Sequence, residues 1–150
     1  MILNELLTRQ NVITKIELKD GDKELPKELK VKIMRIRLAY NKVKKAFDED
    51  VKEFVEQIAT DEYKELAQKT DRTEEEEKRY NELNVKINSD YIEFINQKGQ
   101  EEVKDAIDDK VTEEDYAEIL DVNAGNDVDF NGQKLKAADL MEAFYELFVA

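Results

Sequence analysis

The sequence predicts a mainly helical fold whose centre is a long antiparallel hairpin over about residues 27–59 and 74–96. Three observations carry that expectation. An apolar stripe keeps helical spacing for about four heptads. A capping signature opens the second arm of the hairpin. Breakers are scarce, with one Pro and four Gly in 150 residues.

The stripe is Leu29, Ile33, Ile36, Tyr40, Val43, Phe47, Val51, Phe54 and Ile58, stepping by three or four throughout. Pro26 suits the first turn, where a missing N–H costs nothing. At 1.5 Å per residue the helix is roughly 48 Å long, and a helix of that length needs a packing partner rather than propensity alone. Leu29, Ile33, Ile36, Val43, Phe47 and Phe54 are therefore expected to be largely buried. Thr60 is a point of interruption, with residues 61–68 as one or two further turns. The polar stretch from Lys69 to Arg72 reads as the turn. Thr73 and Glu76 form a capping box, and the acids Glu74–Glu77 match the positive end of a helix dipole. The second stripe is Tyr80, Leu83, Ile87, Tyr91, Phe94 and Ile95, and Gly99 is the expected left-handed cap.

The flanking segments are less regular. Leu3, Leu6 and Leu7, then Val12, Ile13 and Ile16, are spaced for a short N-terminal helix or two, while the β-branched run from Val12 to Ile16 leaves a strand open. Asp20-Gly21-Asp22 is a turn. Val103, Ile107 and Val111 fit either a short strand or a loose helical turn. Thr112 with Asp115 opens a short helix through Tyr116, Ile119 and Leu120. Asn131-Gly132 between Val128, Phe130 and Leu135 predicts a small β-hairpin near 128–135. A C-terminal helix over about 137–148 presents Leu140, Met141, Phe144, Leu147 and Phe148. With no repeat, linker or low-complexity tract, residues 1–150 read as a single helical domain, long enough to bury roughly 70% of the unfolded surface.

Composition narrows the chemistry. The charged fraction is 41%, well above the roughly 25% of ordinary globular chains, and the periodic apolar residues make this the signature of solvated helices rather than disorder. The chain has no Cys and no His. Disulfides, thiolate metal sites, Ser-His and Cys-His nucleophile pairs and nearly all zinc sites are thereby excluded. No Gly-rich phosphate loop is present, so no enzyme is expected and no catalytic, cofactor-binding or metal residue is assigned. The first residues lack a basic n-region and apolar h-region, and no apolar run approaches 18 residues, which predicts a soluble, cytoplasmic protein without membrane contact.

Charge is unevenly spread. Residues 1–60 hold 13 basic and 11 acidic side chains, residues 61–150 hold 11 and 26, and the net charge is −13. Direct nucleic-acid binding by counterion release is not expected of such a chain. Residues 27–45 nevertheless carry Lys27, Lys30, Lys32, Arg35, Arg37, Lys42, Lys44 and Lys45 against one acid, Glu28. The expectation is that they flank the apolar stripe and neutralise the Glu-rich second helix; the alternative is contact with phosphates or an acidic partner. Asp121, Asn123, Asp127 and Asp129 with Gly125 only loosely follow a calcium loop. Glycine falls one place early and Gly132 stands where the bidentate Glu belongs, so an acidic surface turn is predicted instead.

The order of features resembles a family of small proteins encoded by tailed bacteriophages, often near tail and lysis genes. The likeness is carried by KELPKELKVKIMRIRLAYNKVKKAF (residues 23–47), YNELN (80–84) and the closing LMEAFYELFVA (140–150). The Asn131-Gly132 hairpin lies outside that pattern. The resemblance implies a phage origin, with residence in the host cytoplasm or the virion, and transfers no catalytic residue. The expected function is a non-enzymatic interaction or assembly protein that binds a protein partner or itself. The alternative is an acidic inhibitor that mimics DNA charge and occupies a host nucleic-acid-binding protein.

Overall fold

The computed structural model describes residues 1–104 and 106–150. The chain is mainly helical, with one long helix, a small β-hairpin near the C-terminus and a helical C-terminal segment. No helix among the described residues is long and apolar enough to cross a membrane. Two compact units form, one from residues 1–44 with 102–150 and one from residues 45–101. The long helix α2 (Lys27–Ile58) gives its first part to one unit and its last part to the other.

In the first unit α1 (Leu3–Ile13) takes the N-terminal stripe as a helix, so the strand alternative at Val12–Ile16 is not realised. The turn at Gly21-Asp22 joins two short antiparallel strands, β1 (Lys19–Asp20) and β2 (Lys23–Glu24). Gly21 has a φ of 60°, which a residue without Cβ adopts at no steric cost. Pro26 stands just before α2, its carbonyl accepting from the Lys30 N–H at 3.0 Å. Leu29, Ile33, Ile36 and Tyr40 are all buried, and they pack with Leu6, Ile13, Ile16, Tyr116, Ile119, Val122 and Met141 into one core.

Val103, Ile107 and Val111 belong to neither a strand nor a helix. Single bridges tie the ends of this segment, Glu102 to Ile2 and Val111 to Val149. Side chains hold its middle: the Tyr40 hydroxyl donates to the Ile107 carbonyl at 2.8 Å, and Lys32 donates to the Lys110 carbonyl at 2.7 Å. α5 (Glu113–Asn123) opens on Thr112, whose hydroxyl accepts from the Asp115 N–H. β3 (Asp127–Phe130) and β4 (Gln133–Lys136) pair around Asn131 (φ 49°) and Gly132 (φ 79°), the two positive values that a type I′ turn requires. Asp127 and Asp129 face solvent while Val128 and Phe130 are half-buried, which is the period-two pattern of a one-sided strand.

The C-terminal helix expected over about 137–148 is present, interrupted at Phe144 into α6 (Ala137–Ala143) and α7 (Tyr145–Phe148). Phe144 leaves helical geometry between them (φ −111°, ψ 22°), and its ring lies 5.6 Å from that of Phe130 on β3. Leu140 and Met141 remain in the core.

The second unit is a helical hairpin. One arm is the last part of α2 followed by α3 (Asp61–Gln68), which restarts at Thr60 when that hydroxyl caps the Tyr63 N–H. The other is α4 (Glu74–Gly99), opened by the reciprocal capping box of Thr73 and Glu76. The arms run antiparallel. Asp50 pairs with Lys98, the rings of Phe54 and Phe94 stack at 4.1 Å, and those of Tyr63 and Tyr80 stack at 5.5 Å. α4 extends three residues beyond the expected end at Asn96, and Gly99 is not its left-handed cap. Gln100 closes the helix with a right-handed φ of −89°, its N–H reaching the Gln97 carbonyl in a tightened last turn.

Burial along α2 is not uniform. Val43, Phe47 and Phe54, expected to be largely buried, are only half-buried. In the hairpin two helices side by side bury one flank of Phe47 and Phe54, whereas Ile33 meets several elements at once and Val43 lies at the edge of that core. In the hairpin unit Leu66 and Leu83 are the buried large apolar side chains among the described residues. Ile33→Ala is therefore expected to cost about 2–5 kcal/mol in denaturant unfolding, and Phe47→Ala less than that. A larger loss from Phe47→Ala than from Ile33→Ala would contradict this placement of the core.

Candidate functional site

α2 presents two opposed faces in the first unit. Leu29, Ile33, Ile36 and Tyr40 point into the core, and Val31, Met34 and Leu38 project from the opposite side with 57%, 51% and 70% of their surface exposed. At 100° per residue these three lie within about 60° of one another, a single row little more than two turns long. Lys27 precedes the row, and Arg35 and Lys42 flank it, all three exposed. An outward apolar row bordered by cations is the feature of this chain most suited to contact with another macromolecule.

Four basic residues of 27–45 have partners other than the Glu-rich second helix that was expected to neutralise them. Lys30 binds Glu24, Lys32 binds the Lys110 carbonyl, and Arg35 pairs with Asp109. Arg37 donates to the carbonyls of Ile13 and Ile16, where a cation meets the negative end of α1. Burial pulls the pKa of this guanidinium below its usual value, and the charge of Glu17 opposes that shift. The acids of α4 meet cations of their own hairpin: Glu76 with Lys69 and Glu77 with Arg72, while Arg79 forms a two-toothed pair with Glu62. Lys27 and Lys42 make no ion pair among the described residues.

The four polar residues of the calcium-like pattern serve other ends. Asp121 lies on α5 and pairs with Lys23 at 3.3 Å. Asp127 and Asp129 extend outward from β3. Asn123 is fully buried. Its Oδ1 accepts from the Glu17 N–H at 2.8 Å, and its Nδ2 donates to the carbonyls of Glu17 at 3.1 Å and Ile119 at 2.8 Å. An amide is the side chain that can satisfy an N–H and a C=O of the same backbone residue at once. Asn123 thus clamps the segment after α1 onto α5. Among the described residues no group of three or more acids is placed to hold a metal ion.

Two further polar groups carry structural weight. Arg9 is buried in α1 and holds Asp108 at 2.6 Å and Glu5 at 2.7 Å. Burial opposes its charge, yet Tyr40, Asp108 and Glu5 outweigh that and keep its pKa raised. Burial likewise pushes the Tyr40 phenol up, so it remains a proton donor to Ile107. An apolar cavity bordered by Ile13, Ile33, Tyr116 and Met141 measures about 20 Å³, room for one water-sized body.

No family model matches the chain, and no curated protein or solved structure is similar to it.

The helical spacing of Val31, Met34 and Leu38 was visible in the sequence but lay outside the dominant stripe. Asn123 and Arg9 gave no local signal, since their partners are distant in sequence. Asn123→Ala is expected to cost about 1–3 kcal/mol by leaving the Glu17 backbone groups unpaired. Asn126→Ala, which removes only a 3.3 Å bond to Asn123, should cost less; equal losses in thermal or denaturant unfolding would refute the clamp.

Proposed function

We propose that the protein is a non-enzymatic interaction module, and that it binds another protein chain through the outward face of α2. The observation that carries this reading is the exposure of Val31, Met34 and Leu38 on one face beside Lys27 and Lys42. Three large apolar side chains in a row are more than the scattered singletons of an ordinary surface. The centre of the row is apolar and has no aromatic for base stacking, which favours protein over nucleic acid as the bound surface. Sparse burial in the hairpin unit also suits a protein that gains order from association. A virion or assembly role in a phage, exercised in the host cytoplasm or the particle, is the setting that the sequence resemblance implies.

The test is recovery of bound protein, another protein or further copies, with full-length chain and with Leu38→Glu. Leu38 is exposed, so the substitution is expected to leave stability within about 0.5 kcal/mol while removing the bound chain. Unchanged recovery with the variant would overturn the assignment of this face. Recovery of a DNA-binding protein that duplex DNA displaces would favour the charge-mimic reading instead.

A further inference from the structure

We propose that the outward face of α2 takes α4 of a second copy of this chain, an inference that rests on the interaction reading above and names its occupant. Apart from Val31, Met34 and Leu38, the strongly exposed apolar side chains among the described residues include Val85 and Ile92, both on α4, at 70% and 57%. They stand seven residues apart, as do Val31 and Leu38, so each helix offers an outward row one heptad long. Two such rows match in length when the helices lie side by side, and knobs from one fall between those of the other.

Charge points the same way. Lys27, Arg35 and Lys42 border the row on α2, whereas Glu82 and Glu93, with Lys86 between them, border the row on α4. Glu82 lies beside Val85 on α4, and Lys42 lies one turn beyond Leu38 on α2. Laid antiparallel, with Leu38 against Val85, the two helices bring those charges to the same level. Lys27 and Lys42, which have no ion pair among the described residues, would gain acidic neighbours. Two chains of net charge −13 repel at long range. At about 0.15 M salt the Debye length is near 8 Å, so that repulsion is screened while adjacent side chains still interact.

The pairing joins unlike faces, and this gives a test that like-on-like pairing cannot pass. Sedimentation of the full chain at about 0.15 M salt is expected to show self-association. Leu38→Glu and Ile92→Glu are each expected to weaken it by at least about tenfold, because a carboxylate is then buried in an apolar contact. Circular dichroism of both variants should match the parent, since both positions are exposed. Mixing the two variants should restore a dimer, for one retains an intact α4 face and the other an intact α2 face. A monomeric parent overturns the proposal, and so does a variant that still self-associates or a mixture that stays monomeric. A monomeric parent whose bound foreign protein is lost with Leu38→Glu would sink this proposal alone and leave the interaction reading standing.

Discussion

Burial of Leu29, Ile33, Ile36 and Tyr40 along one side of α2 is the constraint on which the first unit depends. α1, α5 and α6 each place apolar side chains against that stripe, and residues from all of them share one core with it. Burying an aliphatic side chain of this size stabilises by roughly 1.5–3 kcal/mol, so three of them together with the Tyr40 ring dominate the local energetics. A helix committed on one side to a core leaves its opposite side to solvent. In most helices that side is polar throughout, and here it is interrupted by Val31, Met34 and Leu38. The same helix therefore supplies both the anchor of the fold and the surface proposed for association.

Hydrophobic burial does not by itself fix the irregular parts of the unit. The described residues between Glu102 and Val111 have no ladder of their own, and side chains reaching from α1 and α2 meet polar groups of Ile107, Asp108, Asp109 and Lys110. Asn123 does the same for the segment after α1. These contacts join residues 67 to 106 positions apart, which sets them among the last to form when local contacts form first. Buried amide and guanidinium groups are tolerated because their bonds are largely made. The Arg9 Nε, which has no partner, is the exception among the described residues.

Much of this was legible in the sequence, for reasons that are physical. Caps and tight turns are decided by neighbours, so Thr73 with Glu76, Thr112 with Asp115, and Asn131-Gly132 all appear where local chemistry places them. The stripe on α2 and its break at Thr60 follow from periodicity and capping in the same way. Tertiary consequences were harder to read. Periodicity shows which face of a helix is apolar but not how many elements cover it, so Phe47 and Ile33 look alike in sequence and differ in burial. At the break Phe144 meets the distant Phe130, and the pairs of Arg35 and Lys32 involve a segment near residue 110. As for the surface, the row at Val31, Met34 and Leu38 has the right spacing for a helix face, yet only the fold decides that it is the face left outside.

Native-state hydrogen exchange along α2 tests the central claim most directly. If the buried stripe anchors the structure, backbone amides from about Ile33 to Tyr40 exchange only through the largest opening free energy in the protein. Amides of the same helix from about Phe47 to Ile58 then exchange through smaller, local openings. Equal protection along the whole helix, or stronger protection in its last part, would contradict the account.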